Sequence, residues 1–179
     1  MMCVLNTQPL VATDRLILRG PTLADAPVIA ELANDPGVTG MTASMPYPYG
    51  VADAEAHLAR VARADLRTHA EFVVEHRQFG VIGMLGFREE DPRRPELGYW
   101  LGRPFWGRGY ATEAVRAALS WAHGGWRRNV VWAGHFADNT ASGQVLCKAG
   151  FLYTGDVVRM PSTARGGEAV ATRMMVWLA

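Results

Sequence analysis

Cysteine is almost missing from this chain. Cys3 and Cys147 are the only two in 179 residues, and they lie too far apart to suggest a metal knuckle or a disulfide framework. Sparse cysteine fits a reduced, cytoplasmic protein. No apolar run approaches the roughly 20 residues that a membrane span requires. The N-terminus lacks a charged segment followed by an apolar one, so no secretory signal is expected. Charge of one sign is missing too: 18 Lys and Arg face 17 Asp and Glu, a formal net charge of +1. With no basic run interleaved with aromatics, there is no nucleic-acid footprint. The five histidines show no pair at metal-ligand spacing, so no metal is expected. There are no repeats and no low-complexity segment.

What is present reads as an ordinary globular chain, 49% hydrophobic and 20% charged. Its length fits one domain, residues 1–179, with a large core. Arg15 to Arg19 alternates as a strand does, and Thr22-Leu23-Ala24-Asp25 resembles a capping box that opens a helix to about Asn34. Asp35 to Gly50 reads as a loop, because Pro36, Pro46 and Pro48 oppose regular structure. Asp53 to about Arg67 is alanine-rich and helical. Residues 72–75 and 81–87 read as a hairpin, and a polar turn over 90–95 leads to the strand Glu96–Leu101. Two last strands, to about Met160 and from about Val170, flank a loop over 161–168. Antiparallel strands followed by a strand–helix–strand unit argue for a mixed α+β sheet with helices on it.

The stretch with the most chemistry is Trp106-Gly107-Arg108-Gly109-Tyr110-Ala111-Thr112-Glu113-Ala114. It joins the strand Glu96–Leu101 to a helical run, Ala114–Ala122. A glycine-spaced loop at a helix N-terminus exposes backbone N–H groups where the helix dipole adds positive charge, a natural seat for a phosphate. The same glycines also suit a plain tight turn. The loop lacks the Gly-Lys-Ser/Thr ending of an ATP-binding P-loop and the third glycine of the dinucleotide fingerprint. A second such unit follows: the strand-like run Val130–Phe136, then Asn139-Thr140-Ala141-Ser142, then a helix over 143–149 that stops at Gly150. Asn139 is a helix cap whatever else it does.

In this order and spacing the motifs resemble those of the GNAT acetyltransferase superfamily, most closely the branch that holds the ribosomal-protein N-terminal acetyltransferases. The resemblance spans nearly the whole chain, from Thr13-Asp14-Arg15-Leu16-Ile17-Leu18-Arg19 to Lys148-Ala149-Gly150-Phe151. It implies a central, mostly antiparallel twisted sheet of roughly six or seven strands with about four helices. It implies acetyl-CoA as cosubstrate. The acceptor would be an amine, either a protein N-terminus or a small molecule, attacking directly in a ternary complex, with the enzyme a monomer or homodimer. Trp106, Gly107, Arg108, Gly109, Tyr110, Ala111 and Thr112 would hold the pyrophosphate, with Asn139, Ser142 and Lys148 as further cofactor contacts. A donor to the thioester oxygen would come from the strand near Trp100 and Leu101.

Acetyl transfer to an amine also needs a proton acceptor and a group to meet the leaving thiolate. Glu96 begins the strand that leads to the loop, where the family often keeps an acid. It is either a general base or a solvated glutamate beside Arg93 and Arg94. Glu168 is a second candidate and Asp156 a weaker one. Many family members carry a tyrosine seven residues after the motif asparagine as the acid, whereas this chain has Leu146 there. Tyr110 or Tyr153 would have to reach in instead, or Ser142 would donate to the sulfur. Acceptor walls are expected in the 36–50 loop, with Met41, Met45, Tyr47 and Tyr49, and in the 160–168 loop with Glu168. A non-catalytic acyl-CoA-binding module remains the competing reading. Cys147 reads as a buried structural thiol.

Overall fold

The computed structural model describes residues 9–89 and 94–179. Cys3, Arg93 and most of the expected 90–95 turn lie outside the described residues. Among the described residues, eight strands form one sheet in the order β1-β2-β3-β4-β5-β6-β8-β7. They are β1 (Val11–Ala12), β2 (Leu16–Arg19), β3 (His69–His76), β4 (Gly80–Arg88), β5 (Glu96–Leu101), β6 (Val130–Phe136), β7 (Leu152–Ser162) and β8 (Glu168–Leu178). Every neighbouring pair is antiparallel except β5 and β6. The expected count of six or seven strands falls short by β1. That strand is two residues long and exists only because Val11 and Ala12 pair with Leu18 and Ile17, so it leaves no periodic signal.

The helices are α1 (Ala26–Ala33), α2 (Pro36–Thr39), α3 (Val51–Arg63), α4 (Tyr110–Gly124) and α5 (Thr140–Lys148). The single turn α2 corrects the reading of Pro36 as an obstacle. Asp35 caps the turn by accepting from the Gly37 amide at 2.7 Å, and Pro36 occupies the first helical position, which needs no N–H donor. At the other end of the loop α3 starts earlier than expected and stops at Ala64, whose backbone is extended.

Two cores sandwich the sheet. On one face α4 buries Ala114, Val115, Ala118, Leu119 and Ala122 against Phe72, Leu85 and Phe87. Phe72 and Phe87 are fully buried and both meet the ring of Trp121, and each such side chain stabilises the fold by about 1.5–3 kcal/mol. On the other face α1 and α3 cover Val73, Val81 and Met84 with Ile29, Ala54 and Leu58. The α5 helix turns Gly143, Leu146 and Ala149 inward. Cys147 sits one step off that stripe and is exposed, so it is not the buried thiol expected.

Candidate functional site: a splayed strand pair and a two-armed cavity

The site begins where the sheet comes apart. The parallel pair β5 and β6 is in register only at Glu96–Trp132 and Leu97–Ala133, after which the strands diverge. The phase of the β4–β5 ladder is fixed at its end, where the Gly102 amide donates to the Ile82 carbonyl at 2.9 Å. Hydrogen-bonding residues alternate along an antiparallel pair. Trp100, which is paired with Met84, therefore points its amide into that ladder. Tyr99 and Leu101 turn theirs toward the gap beside β6. Of the two donor positions expected from sequence, Leu101 faces the gap and Trp100 does not. The Leu101 carbonyl is engaged by the Trp106 indole N–H at 2.7 Å, which latches the glycine loop to the end of β5.

That loop turns on two left-handed glycines. Gly107 and Gly109 have φ of +73° and +81°, a region that other residues enter only under strain. A Cβ at Gly107 would meet nothing within 4 Å, and at Gly109 only the Arg15 guanidinium at 3.6 Å. The space beside both is thus open. The first bond of α4 runs from the Glu113 amide to Gly109 O, so the Tyr110, Ala111 and Thr112 amides precede the helical ladder. Arg15, which sequence reading left without a role, holds the loop from below. It pairs with Glu113 at 2.6 Å, donates to the Arg108 carbonyl at 3.2 Å and lies 4.6 Å from the Tyr110 ring centre. Burial pushes the Glu113 carboxyl up, but hydrogen bonds from Thr13 and Arg15 outweigh it and hold the group below its usual range.

Across the gap, Asn139 caps α5 by accepting from the Ser142 amide at 3.1 Å. The Ser142 hydroxyl lies 2.9 Å from the hydroxyl of Tyr99, which projects from β5. Burial pushes Tyr99 up to about 12, with the Ser142 hydrogen bond opposing, so the phenol stays protonated at neutral pH. Leu146 is packed in the core at 1% exposure. The Tyr110 ring meets His76, and the Tyr153 hydroxyl bonds His135 Nε2 at 3.0 Å beside a smaller cavity. Neither phenol bonds Ser142. The tyrosine beside Ser142 is therefore Tyr99, and its signal in the sequence was its place two residues before Leu101 on the central strand.

One cavity of about 1080 Å³ joins these elements to a second arm on the α1/α3 face. Trp100, Leu101, Trp106, Gly107, Gly109, Tyr110, Ala111, Thr112, Asn139, Ser142 and Lys148 all line it, as does Glu96. Arg108, Asp156 and Glu168 do not. Of the expected acceptor walls, Met41, Met45 and Tyr49 line the cavity, although Tyr49 is only 6% exposed and belongs to the second core. Tyr47 points elsewhere and is exposed. The 36–50 segment and the turn between β7 and β8 are tied together over the mouth: Thr163 N donates to Ala43 O at 2.9 Å, and Arg165 Nε to Gly40 O at 2.7 Å. The floor of this arm carries a group that sequence reading missed. The Glu71 carboxylate accepts from His57 Nε2 at 2.6 Å and from His69 Nε2 at 3.1 Å. Burial pushes Glu71 up, yet the two imidazole bonds win and hold it down at about 2.

The same architecture and motifs recur in known proteins. The model of the acetyltransferase (GNAT) domain family matches residues 15–152. An uncharacterized N-acetyltransferase p20 of Bacillus licheniformis is 31% identical over 147 residues, 80% of this chain and 82% of that protein. Among solved structures, a GNAT-family acetyltransferase from Bacillus anthracis superposes with a TM-score of 0.82 at 20% identity, covering 95% of this chain and 98% of that one. The ribosomal-protein-S5-alanine acetyltransferase from Vibrio fischeri does so at 0.81 and 16% identity, over 96% and 97%. The spermidine N-acetyltransferase from Vibrio cholerae, solved with CoA and spermine, gives 0.78 at 19% identity, over 93% and 96%. The chain belongs to the GNAT acetyltransferase family.

Among the described residues, no helix is long and apolar enough to cross a membrane, and no group of three or more His, Cys, Asp or Glu is placed to hold a metal ion.

Proposed function

We infer that this protein transfers an acetyl group from acetyl-CoA to an amine, with both substrates bound at once. The observation that carries this reading is the continuity of a single cavity from the Gly107–Thr112 amides, past the gap between β5 and β6, to Glu96. At about 1080 Å³ it exceeds the usual small-ligand pocket and has room for two reactants side by side. Acetyl-CoA fits the donor arm because a phosphate can approach the backbone at both glycines, where a Cβ would meet little of the protein. When bound, it supplies the activated acyl thioester.

The chain's own residues then divide the work. Amides of the loop and of the first turn of α4 hold the pyrophosphate. The Leu101 and Tyr99 amides face the gap, where negative charge develops on the carbonyl oxygen, and donors fixed in advance are worth most there. Ser142, backed by the protonated phenol of Tyr99, meets the departing sulfur. Glu96 attracts the acceptor's ammonium and takes a proton from the nitrogen as it bonds to carbon. Met41, Met45 and the β7–β8 turn shape the acceptor mouth.

For the acceptor we favour a free α-amine. At pH 7 roughly 15% of an α-amine is neutral, against well under 0.1% of a lysine side chain. The reading is tested by following thiol release from acetyl-CoA with a panel of free-N-terminal peptides, polyamines and amino acids. Thermal unfolding with CoA tests the donor arm separately, because a ligand that binds only the folded state raises the melting temperature. Gly109→Val should abolish that shift, since it both strains a positive-φ position and fills the phosphate seat. An undiminished shift in the variant removes the loop assignment. CoA binding without turnover of any amine leaves a non-catalytic binding module.

A further inference from the structure

The Glu71 carboxylate on β3 takes no part in the acetyl-transfer steps above. Its surroundings are unusual for a structural ion pair. Glu71 is 13% exposed and gives one oxygen to each of two imidazoles. A carboxylate held down at about 2 only accepts hydrogen bonds, so both imidazoles carry their proton on Nε2. In the neutral tautomer each then presents a lone pair at Nδ1. For His57 that lone pair already faces the Arg60 guanidinium, 3.4 Å away. His69 lines the main cavity.

The sheet places this group in line with the start of β5, next to where β5 and β6 begin to diverge. In register, His69 lies opposite Arg88, and Arg88 opposite Glu96; the next row is Glu71, Gly86 and Gly98. Both rows continue the sheet face that carries Val73 and Met84, with His57 of α3 reaching over Glu71. His69 is thus two strands from Glu96, about 10 Å between backbones. The two glycines keep the floor low. A Cβ at Gly86 would approach the Glu71 side chain to 3.0 Å, and one at Gly98 would meet nothing within 4 Å. A trough therefore runs from the imidazoles to the edge of the gap.

We propose that His69, oriented by Glu71 with His57 as the second donor, is a proton acceptor for the amine substrate, a role that rests on the acetyl-transfer reading above. The acceptor enters as an ammonium. One N–H proton passes to His69 Nδ1, directly or through a water in the trough, leaving a neutral amine and an imidazolium paired with Glu71. The amine lone pair forms the C–N bond as the C–S bond breaks. The second proton goes to Glu96 and from there to the thiolate, while the imidazolium returns its proton to solvent. Imidazole suits the first step because a base works best when its pKa lies near the working pH, whereas an ordinary carboxylate lies far below it. The other charged groups facing this trough are Asp53, His57 and Arg60 from α3, Arg88 from β4, Arg94 before β5 and Glu96 at its start. With Glu71, the formal charges of the carboxylates and guanidinium groups cancel. Glu71 and His57 are positioning residues.

The test is the pH profile of kcat/KM for the full-length protein with acetyl-CoA and two probes, a free-N-terminal alanyl peptide and spermidine. In the wild type we expect an acid limb in the imidazole range followed by a plateau. In His69→Gln the plateau should vanish, with kcat/KM rising about tenfold per pH unit toward the acceptor's own pKa. At pH 7.5 the loss should be tenfold or less for the α-amine but at least a hundredfold for spermidine, whose amines are mostly charged there. KM for acetyl-CoA should not change, and imidazole added to His69→Ala should restore part of the rate. Glu71→Gln should move the limb, and a merely structural role would not do so. An acid limb in the carboxylate range that His69→Gln leaves in place overturns this proposal alone. A wild type inactive with every amine removes the parent reading and this one with it.

Discussion

The two arms of the cavity are built from different materials. The arm at the glycine loop, proposed above as the donor arm, is made of backbone: amides at the start of α4, amides at the end of β5, and a loop whose glycines open the space. The other, proposed as the acceptor arm, is made of side chains, drawn from α3, β3, β4, β5 and two loops that bond each other over the mouth. A backbone site is insensitive to most substitutions and recognises what every reaction of the family shares. A side-chain site recognises what distinguishes one acceptor from another, and its charges must be balanced one against another. The pair Arg15–Glu113 illustrates the first case. It is half exposed and contributes on the order of 1 kcal/mol or less, yet it fixes the loop's exit direction. Glu71 with His57 and His69 illustrates the second, where burial makes each hydrogen bond matter more.

This contrast can be broken most sharply at Glu96, which lines the cavity at the start of β5. Glu96→Gln should lower turnover by roughly 10²–10⁴-fold at neutral pH, the usual range for losing a proton acceptor. The CoA-induced rise in melting temperature should stay as in the wild type. If turnover holds and the CoA shift collapses, Glu96 belongs to the donor arm instead. A smaller effect is expected at Tyr99, whose phenol touches both arms. Tyr99→Phe should reduce kcat by about 10–100-fold with little change in KM for acetyl-CoA, because the hydrogen bond it supports matters as charge builds on sulfur. Equal losses in kcat and in CoA affinity would assign Tyr99 to binding alone.

The least effect on activity and the clearest on stability concerns Glu71 in acid. Its carboxyl is held at about 2 in the fold, below its ordinary range near 4.3. A depressed carboxyl stabilises the fold above the unfolded-state value and loses that contribution as pH falls from about 4.5 toward 2. The total available is at most about 3 kcal/mol. Wild-type melting temperature should therefore drop by roughly 5–10 °C more than that of Glu71→Gln across this window. Parallel curves would mean that the imidazole bonds do not hold the carboxyl down.

The geometry of the glycine-loop arm was legible in the sequence because its parts are contiguous. Trp106 to Thr112 is one stretch, and Asn139 and Ser142 are three residues apart on one cap. The strands Glu96–Leu101 and Val130–Phe136 stand where their composition put them. The acceptor arm was not legible. His57 and His69 read as unremarkable histidines twelve residues apart, and nothing local tells that Glu71 lies between them. Tyr99 was passed over because the family's usual acid sits on α5, where this chain has Leu146.

The sequence by itself therefore determined the order of elements, the membership of the family, and the glycine loop, since each depends on residues close along the chain and on backbone geometry. Only the tertiary structure decided which way the Trp100 amide faces, since that depends on pairing with β4. It alone brought Tyr99 to Ser142 across 43 positions and set His57 and His69 on one carboxylate. Contacts of that kind arise from strand register and helix docking, which no local pattern encodes.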